Sequence, residues 1–164
     1  MKIVFVCTGN IFRSLSAEYC AKKLAEDKGI KLEISSAGTV ATPQQPDPVT
    51  LETLRSFGVA DISHRQTRLS RELIEDNDLV IAMGTDHKEF IKDNFGMDVP
   101  LFNELANEEK NGVLDIHEKV EDWLENREAT EEHIITTVTH IYESMPRLLE
   151  KVEKMEKEKN ISRE

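Results

Sequence analysis

The segment from Lys2 to Ser16 is the part of this chain that most limits how it can fold. It begins with four apolar residues, a pattern typical of a strand buried on both faces of a parallel sheet: Ile3, Val4, Phe5 and Val6. After a short polar turn, apolar residues recur at helical spacing: Ala17, Cys20, Ala21, Leu24 and Ala25. The segment therefore predicts a strand, a tight loop and a helix. Because backbone N–H groups converge where a loop enters a helix, this point is suited to binding an anion.

Two reactive side chains flank this predicted loop. Cys7 follows the strand and Arg13 stands at the start of the helix. A cysteine is nucleophilic as its thiolate, which a helix N-terminus and a nearby arginine stabilise, and Ser14 can donate a hydrogen bond to the sulfur. The guanidinium can bind two phosphate oxygens at once. Cys7 could instead be a small buried hydrophobe and Arg13 a surface residue, but the turn residues Gly9 and Asn10 between strand and helix favour a phosphoryl-binding loop with a nucleophile beneath it.

Residues 7–14, CTGNIFRS, resemble the signature loop of the low-molecular-weight protein tyrosine phosphatases, and the similarity continues to about Met145. There are two departures: Phe12 replaces the family's usual second cysteine, and Leu15 replaces its usual proline. The resemblance implies that Ser36 and His64 support the loop. It also implies a set of substrate-binding residues, including an aromatic residue on a later loop: Thr8, Gly9, Asn10, Ile11, Phe12, Ser14 and Trp123.

The family also supplies an aspartic acid that protonates the leaving oxygen, from an Asp-Pro pair on a late loop. No Asp-Pro pair occurs in the acidic segment at residues 103–127. Asp122, followed by the aromatic Trp123, is the best match, and Asp115 is the second candidate. An acidic loop in which Asp122 is merely solvated is the alternative interpretation. We expect Asp122 to act with Cys7 and Arg13 as the catalytic set.

Alternating strand and helix patterns predict the fold. Four apolar segments favour strands, at residues 3–6, 32–35, 79–83 and 99–102. With helices between them, they predict a single doubly wound α/β domain containing a four-stranded parallel sheet. The signature loop would lie between the first strand and the first helix. We expect the domain to span residues 1–158 and the charged residues 159–164 to fray.

The last predicted helix carries a long apolar seam: Ile134, Val138, Ile141, Met145, Leu148 and Val152. Pro146 falls within it, which predicts a kink or a break. The seam could serve a coiled coil or a dimer, although packing against the sheet explains it more simply. We therefore expect a monomer.

Charge and cysteine content exclude several classes of function. The formal net charge of −11 argues against nucleic acid and anionic membranes as partners. The two cysteines form neither a disulfide framework nor a metal cluster, and Cys20, on the apolar face of the first helix, is expected to be an inert core thiol. The N-terminal apolar run is too short for a signal peptide, so we expect a cytoplasmic protein. No metal or cofactor is expected.

These features predict a cysteine-dependent phosphatase that hydrolyses phosphotyrosine in protein substrates through a cysteinyl-phosphate. A protein-arginine phosphatase of the same fold is an alternative, but that branch typically has threonine where this chain has the bulkier Ile11. A thioredoxin-coupled arsenate reductase needs two further redox cysteines, and only Cys20 is present. The alternative from another functional class is a protein without catalytic activity that binds phosphate or senses redox state.

Overall fold

The computed structural model describes residues 1–163, in which three parallel strands alternate with helices. The strands are β1 (Lys2–Cys7), β2 (Glu33–Gly38) and β3 (Leu79–Ala82). The helices are α1 (Arg13–Lys28), α2 (Pro48–Ser56), α3 (Arg71–Asp76), α4 (Thr85–Phe95), α5 (Phe102–Asn107), α6 (Ile116–Lys119) and α7 (Arg127–Ile161).

The sheet has the strand order β2-β1-β3, which places β1 at its centre. Alternate residues of β1 point to opposite faces, so Ile3 and Phe5 join a core cluster with α1 and α7. Val4 and Val6 point to the other face and join a second cluster, which includes Ile74 of α3 and Ile91 of α4. Because the central strand is covered on both faces, Cys7 emerges at its carboxyl end, where open α/β sheets bind their ligands.

The prediction of a fourth strand at residues 99–102 is wrong. This segment makes a single parallel bridge, between Leu101 and Ala82, and helix α5 begins at Phe102. Pro100 has no N–H with which to extend a ladder. The Leu101 N–H instead donates to the Glu104 carboxylate at 3.1 Å, a capping contact that turns the chain into the helix.

Helix α7 is continuous through Pro146, so the proline does not break it, and a kink at this position stays a prediction. The apolar seam holds it against the rest of the domain: its six residues, named above, are all fully buried in the core. The helix extends into the segment expected to fray, where the Lys159 ammonium lies 2.7 Å from the Asp78 carboxylate. The last residue of that segment, Glu164, lies outside the described residues.

Residues 1–163 contain no helix that is both long enough and apolar enough to cross a membrane. They also contain no group of three or more histidine, cysteine or acidic side chains arranged to hold a metal ion.

Replacing Pro146 with alanine tests how much the proline lowers the free energy of unfolding. Pro146 is exposed, and alanine would restore the missing hydrogen bond to the Tyr142 carbonyl and remove the ring clash. Part of that gain is offset by the greater freedom of alanine in the unfolded chain. We expect urea denaturation to give a free energy of unfolding higher by roughly 1–2 kcal/mol. The exposed Glu143→Ala variant should change it by no more than about 0.5 kcal/mol. A P146A variant without added stability would contradict the expectation.

Candidate active site

The loop at residues 8–12 joins the end of β1 to the start of α1 and is organised by Asn10. Asn10 is fully buried and adopts a left-handed backbone conformation, with a φ of 58°, which asparagine tolerates better than most residues. Its amide nitrogen donates to the Ser14 hydroxyl at 2.9 Å and to the Ser36 hydroxyl at 2.8 Å. Its amide oxygen accepts the Thr67 N–H at 2.9 Å. One side chain thus ties the loop to α1, to β2 and to the segment before α3.

The hydrogen bonds around Cys7 have a defined direction. The Cys7 sulfur lies 2.9 Å from the Ser14 hydroxyl oxygen and accepts the Asn10 backbone N–H at 3.3 Å. Because the Asn10 amide nitrogen is only a donor, the Ser14 oxygen must accept from it. The Ser14 proton is then directed at the sulfur. Both donors therefore point at the sulfur atom of Cys7.

The same hydrogen-bond chain ends at a buried carboxylate. The Ser36 hydroxyl accepts from Asn10 and donates to Glu18, which is only 7% exposed and also binds the Lys22 ammonium at 2.6 Å. His64 contacts the loop from the same side, and its Nε2 donates to the Asn10 carbonyl at 2.6 Å. In this series of hydrogen bonds from Glu18 to Cys7, the Ser14 and Ser36 hydroxyls each donate one bond and accept another.

Arg13 is almost completely buried, with 2% of its surface exposed. Its Nη1 donates to the Val113 carbonyl at 2.9 Å, and its Nη2 lies 3.2 Å from the Asp115 carboxylate. The guanidinium therefore connects the start of α1 to the loop before α6. This bridge spans about 100 residues of sequence and places a cation and a carboxylate beside the nucleophile.

A cavity of about 380 Å³ opens above these groups. Its walls combine the signature loop with two further loops, at residues 40–47 and 115–123. The lining residues are Cys7, Thr8, Gly9, Ile11, Phe12, Arg13, Val40, Thr42, Gln44, Gln45, Asp47, Asp115, Ile116, His117 and Trp123. Seven of the ten residues predicted to be catalytic or substrate-binding thus line one cavity, whereas Asn10 and Ser14 lie beneath the loop in the hydrogen-bond chain.

The two candidate acids occupy different environments. Asp115 lines the cavity, and its Oδ1 accepts the Ile116 N–H at 2.8 Å as the N-cap of α6. Asp122, the residue favoured by the sequence, is exposed, does not line the cavity, and accepts a long 3.3 Å hydrogen bond from Asn126. Of the pair Asp122 and Trp123, only Trp123 reaches the cavity wall.

Close backbone packing sets the position of Asp115. The Val113 N–H donates to the Met83 carbonyl at 2.8 Å, immediately after β3. Gly112 lies against Gly84, such that a Cβ at Gly112 would stand 2.9 Å from the Gly84 Cα. The loop can approach the end of β3 this closely because Gly112 has no side chain. Asp115 is therefore held at the sheet edge that also carries Cys7.

The opposite wall of the cavity is joined to α7 by an ion pair. Asp47 receives two hydrogen bonds from the Arg127 guanidinium, at 2.6 Å and 2.9 Å, and also caps α2 through the Val49 N–H. The hydrogen bonds from Arg127 hold the pKa of the Asp47 carboxyl below its ordinary value. This pair connects the loop at residues 40–47 to the helix that follows Trp123.

The second cysteine has no access to this chemistry. Cys20 is fully buried, and burial raises the pKa of its thiol to about 12. Phe12, where the family usually has a second loop cysteine, is 8% exposed and packs edge-on against the His133 ring. Both cysteines are free thiols.

Sequence reasoning assigned no role to several residues of the site, among them Glu18 and His87. Glu18 lies one helical turn beyond Ser14, so its spacing from the signature loop could have indicated a contact with the same region. His87 is buried in the first turn of α4, after β3, and its Nε2 lies 2.8 Å from the Thr8 hydroxyl. Its position just beyond the carboxyl end of a strand was the available signal.

Comparison with known proteins identifies relatives of this chain. The family model for low molecular weight phosphotyrosine protein phosphatase matches residues 2–159. A protein-arginine-phosphatase from Bacillus subtilis is 41% identical over 97 residues, covering 58% of this chain but only 64% of that relative. The low molecular weight protein-tyrosine-phosphatase PtpB from Staphylococcus aureus is 31% identical over 125 residues, covering 74% of this chain and 76% of that protein.

Solved structures share the same fold. A structure of YwlE arginine phosphatase, a mutant with a phosphorylated active-site serine, superposes with a TM-score of 0.80 at 30% identity. The match covers 94% of this chain and 97% of that one.

The environment of Cys7 predicts selective alkylation. We expect iodoacetamide to modify Cys7 at neutral pH and vanadate or inorganic phosphate to protect it, because both anions would occupy the same loop. Ser14→Ala removes one of the two donors to the sulfur and should slow alkylation by roughly tenfold, since a hydrogen bond to a charged group contributes about 1.5–3 kcal/mol. Mass spectrometry should show Cys20 unmodified as an internal control. An alkylation rate of Cys7 that is the same with and without these anions would contradict this assignment.

Proposed function

Because the chain belongs to the low molecular weight phosphotyrosine protein phosphatase family, we propose that it hydrolyses phosphotyrosine in protein substrates through a cysteinyl-phosphate intermediate. The observation that carries this proposal is the convergence of three groups at one cavity. Cys7 lies at its base with two hydrogen bonds to its sulfur, and Arg13 and Asp115 lie beside it as a pair 3.2 Å apart. These are a nucleophile, a cation for the phosphoryl oxygens and a carboxyl group for proton transfer.

In the first step, the Cys7 thiolate attacks phosphorus in line with the leaving oxygen. An S–P bond forms as the P–O bond to tyrosine breaks. The N–H groups of residues 8–13 and the Arg13 guanidinium bind the three equatorial oxygens as their charge changes. The departing phenolate receives a proton from an aspartic acid, so tyrosine leaves as the neutral phenol.

In the second step, water attacks the cysteinyl-phosphate. The same aspartate, now ionised, takes a proton from that water, and the S–P bond breaks to return the Cys7 thiolate and release phosphate. Ser14 and the Asn10 N–H stabilise the thiolate as the leaving group of this step. The mechanism uses no metal or cofactor because the loop and Arg13 supply the positive charge.

We assign the proton transfer to Asp115 in place of Asp122. Asp115 lines the cavity and is 3.2 Å from Arg13, whereas Asp122 is exposed and contacts Asn126. A general acid must reach the leaving oxygen, so position takes precedence over the neighbouring aromatic residue that favoured Asp122 in the sequence. Trp123 retains its role as an aromatic wall for the substrate ring.

Three observations bear on the choice between tyrosine and arginine substrates. Ile11 lines the cavity with an apolar side chain, together with Val40 and Trp123, which suits an aromatic ring. The 41% identity to the Bacillus subtilis protein-arginine-phosphatase, and the carboxylates of Asp47 and Asp115 in the cavity wall, favour arginine phosphatase as the second candidate. We favour phosphotyrosine because a charged guanidinium loses solvation beside the apolar Ile11.

The remaining expectations form part of the same proposal. The protein acts as a monomer in the cytoplasm, with one phosphatase domain at residues 1–158, and does not bind nucleic acid or membranes. The burial of the α7 seam inside the domain supports a monomer because it leaves that apolar face covered. The net charge of −11 supports the exclusion of polyanionic partners.

Substrate turnover tests the function. We expect the wild-type protein to hydrolyse nitrophenyl phosphate and a phosphotyrosine peptide, and Cys7→Ser to abolish both activities. Ile11→Thr should raise the ratio of kcat/KM for phosphoarginine over phosphotyrosine by about tenfold or more, the scale at which small pocket changes discriminate. Val40→Thr makes the same kind of change on the opposite wall and serves as the matched control. Wild-type preference for phosphoarginine would establish the second candidate, and no turnover would leave a phosphate-binding module.

The dependence on the leaving group tests the acid. Asp115→Asn should reduce phosphotyrosine hydrolysis by roughly 10²- to 10⁴-fold, because the phenolate of tyrosine, with a pKa of about 10, needs a proton to depart. Hydrolysis of nitrophenyl phosphate should fall much less, since nitrophenolate is a far better leaving group. Asp122→Asn is the matched control and should resemble the wild type on both substrates. The opposite pattern would return the role to Asp122.

A further inference from the structure

A buried histidine contacts the signature loop from behind. His87 is 1% exposed, and its Nε2 lies 2.8 Å from the hydroxyl oxygen of Thr8, the residue next to the nucleophile. Its Nδ1 accepts the Gly84 backbone N–H at 2.9 Å. Both ring nitrogens are therefore engaged, one with the start of α4 and one with a residue that lines the cavity.

These contacts determine where the ring carries its proton. A backbone N–H can only donate, so the nitrogen that faces Gly84 must be unprotonated. The neutral ring then carries its proton on Nε2 and donates it to the Thr8 oxygen. Among the described residues, this is the single side-chain hydrogen bond of the Thr8 hydroxyl. The Thr8 oxygen accepts from His87, and its own proton remains available to the cavity.

The surroundings of His87 maintain the neutral ring. Burial, together with the nearby Arg13 guanidinium, lowers the pKa of His87 to about 4. The carboxylates of Asp86, 3.4 Å from Nε2, and of Asp115 oppose this shift and do not overcome it. Protonation would also deprive the Gly84 N–H of its acceptor. At neutral pH the ring therefore remains a donor at Nε2 and an acceptor at Nδ1.

We propose that His87 is a positioning residue for the phosphatase reaction, which orients the Thr8 hydroxyl so that its proton points at an oxygen of the bound phosphoryl group. The inference rests on the proposed function, because it assigns a phosphoryl group to this cavity. Thr8 thereby adds a side-chain donor to the N–H groups of the loop and the Arg13 guanidinium. A donor held in place before the reaction stabilises developing charge without having to reorient.

A purely structural role for His87 is the competing explanation, since the ring also caps the start of α4. Two substitutions separate the two contacts. His87→Asn keeps an oxygen within reach of the Gly84 N–H but is too short to contact Thr8. His87→Gln is long enough to present an N–H to the Thr8 oxygen. Thr8→Val removes the hydroxyl while preserving the shape of the side chain.

The experiment is a double-mutant cycle on Thr8 and His87. It measures vanadate affinity together with kcat and KM for nitrophenyl phosphate, and thermal unfolding reports whether each variant is folded. We expect Thr8→Val to weaken vanadate binding and lower kcat by roughly 10- to 100-fold, the scale of one hydrogen bond to a charged group. His87→Asn should lower both by roughly 3- to 10-fold, with KM less affected than kcat, and His87→Gln should recover part of the loss. In the Thr8→Val background, His87→Asn should change neither quantity.

Each other outcome has a defined meaning. Equal losses from His87→Asn in the wild-type and Thr8→Val backgrounds would overturn the proposal, as would a Thr8→Val variant that behaves like the wild type. If His87→Asn does not fold, His87→Ser, which is likewise too short to reach Thr8, takes its place in the cycle with Thr8→Val. A wild-type protein that binds vanadate without hydrolysing aryl phosphates would overturn the proposed function alone, because the cycle can still be completed on vanadate affinity.

Discussion

The active-site loop depends on the hydrogen bonds of one buried side chain, that of Asn10. Its amide holds Ser14 and Ser36 in complementary roles, so the Ser14 proton is directed at the Cys7 sulfur and the Ser36 proton at Glu18. Because every group in this chain is buried, reversing any one bond would leave a donor facing a donor. The network thus fixes the loop geometry and directs two hydrogen-bond donors at the Cys7 sulfur at the same time.

The second half of the site depends on backbone packing at the end of β3. The contact between Gly84 and Gly112 brings the loop before α6 against the start of α4, and Arg13 then binds Val113 and Asp115 in that loop. Cys7 and Asp115, the proposed nucleophile and acid, therefore come from distant parts of the chain that meet at the carboxyl edge of one sheet, as expected for a doubly wound fold. The cavity forms where these loops face each other.

Much of the fold follows from local patterns, and two of its departures from them arise where a proline competes with its surroundings. Pro100 ends a sheet ladder after one bridge, because the Glu104 carboxylate offers the Leu101 N–H a partner that starts a helix instead. Pro146 leaves α7 continuous, because fully buried neighbours such as Met145 and Leu148 keep the helix packed. The same residue type therefore ends one element and is accommodated in another according to its neighbours.

The strand, loop and helix that carry Cys7 and Arg13 could be predicted from the sequence, because those residues are contiguous and their roles follow from local backbone geometry. It also indicated that Ser36 and His64 lie near the loop, through the resemblance to a family. That Asp115 lines the cavity and Asp122 does not, and that His87 contacts Thr8 across 79 positions, could be read only from the folded chain. An acidic segment without periodicity carries no information about which carboxylate points inward. That orientation is set by the packing of Gly112 against Gly84 and by the reach of Arg13.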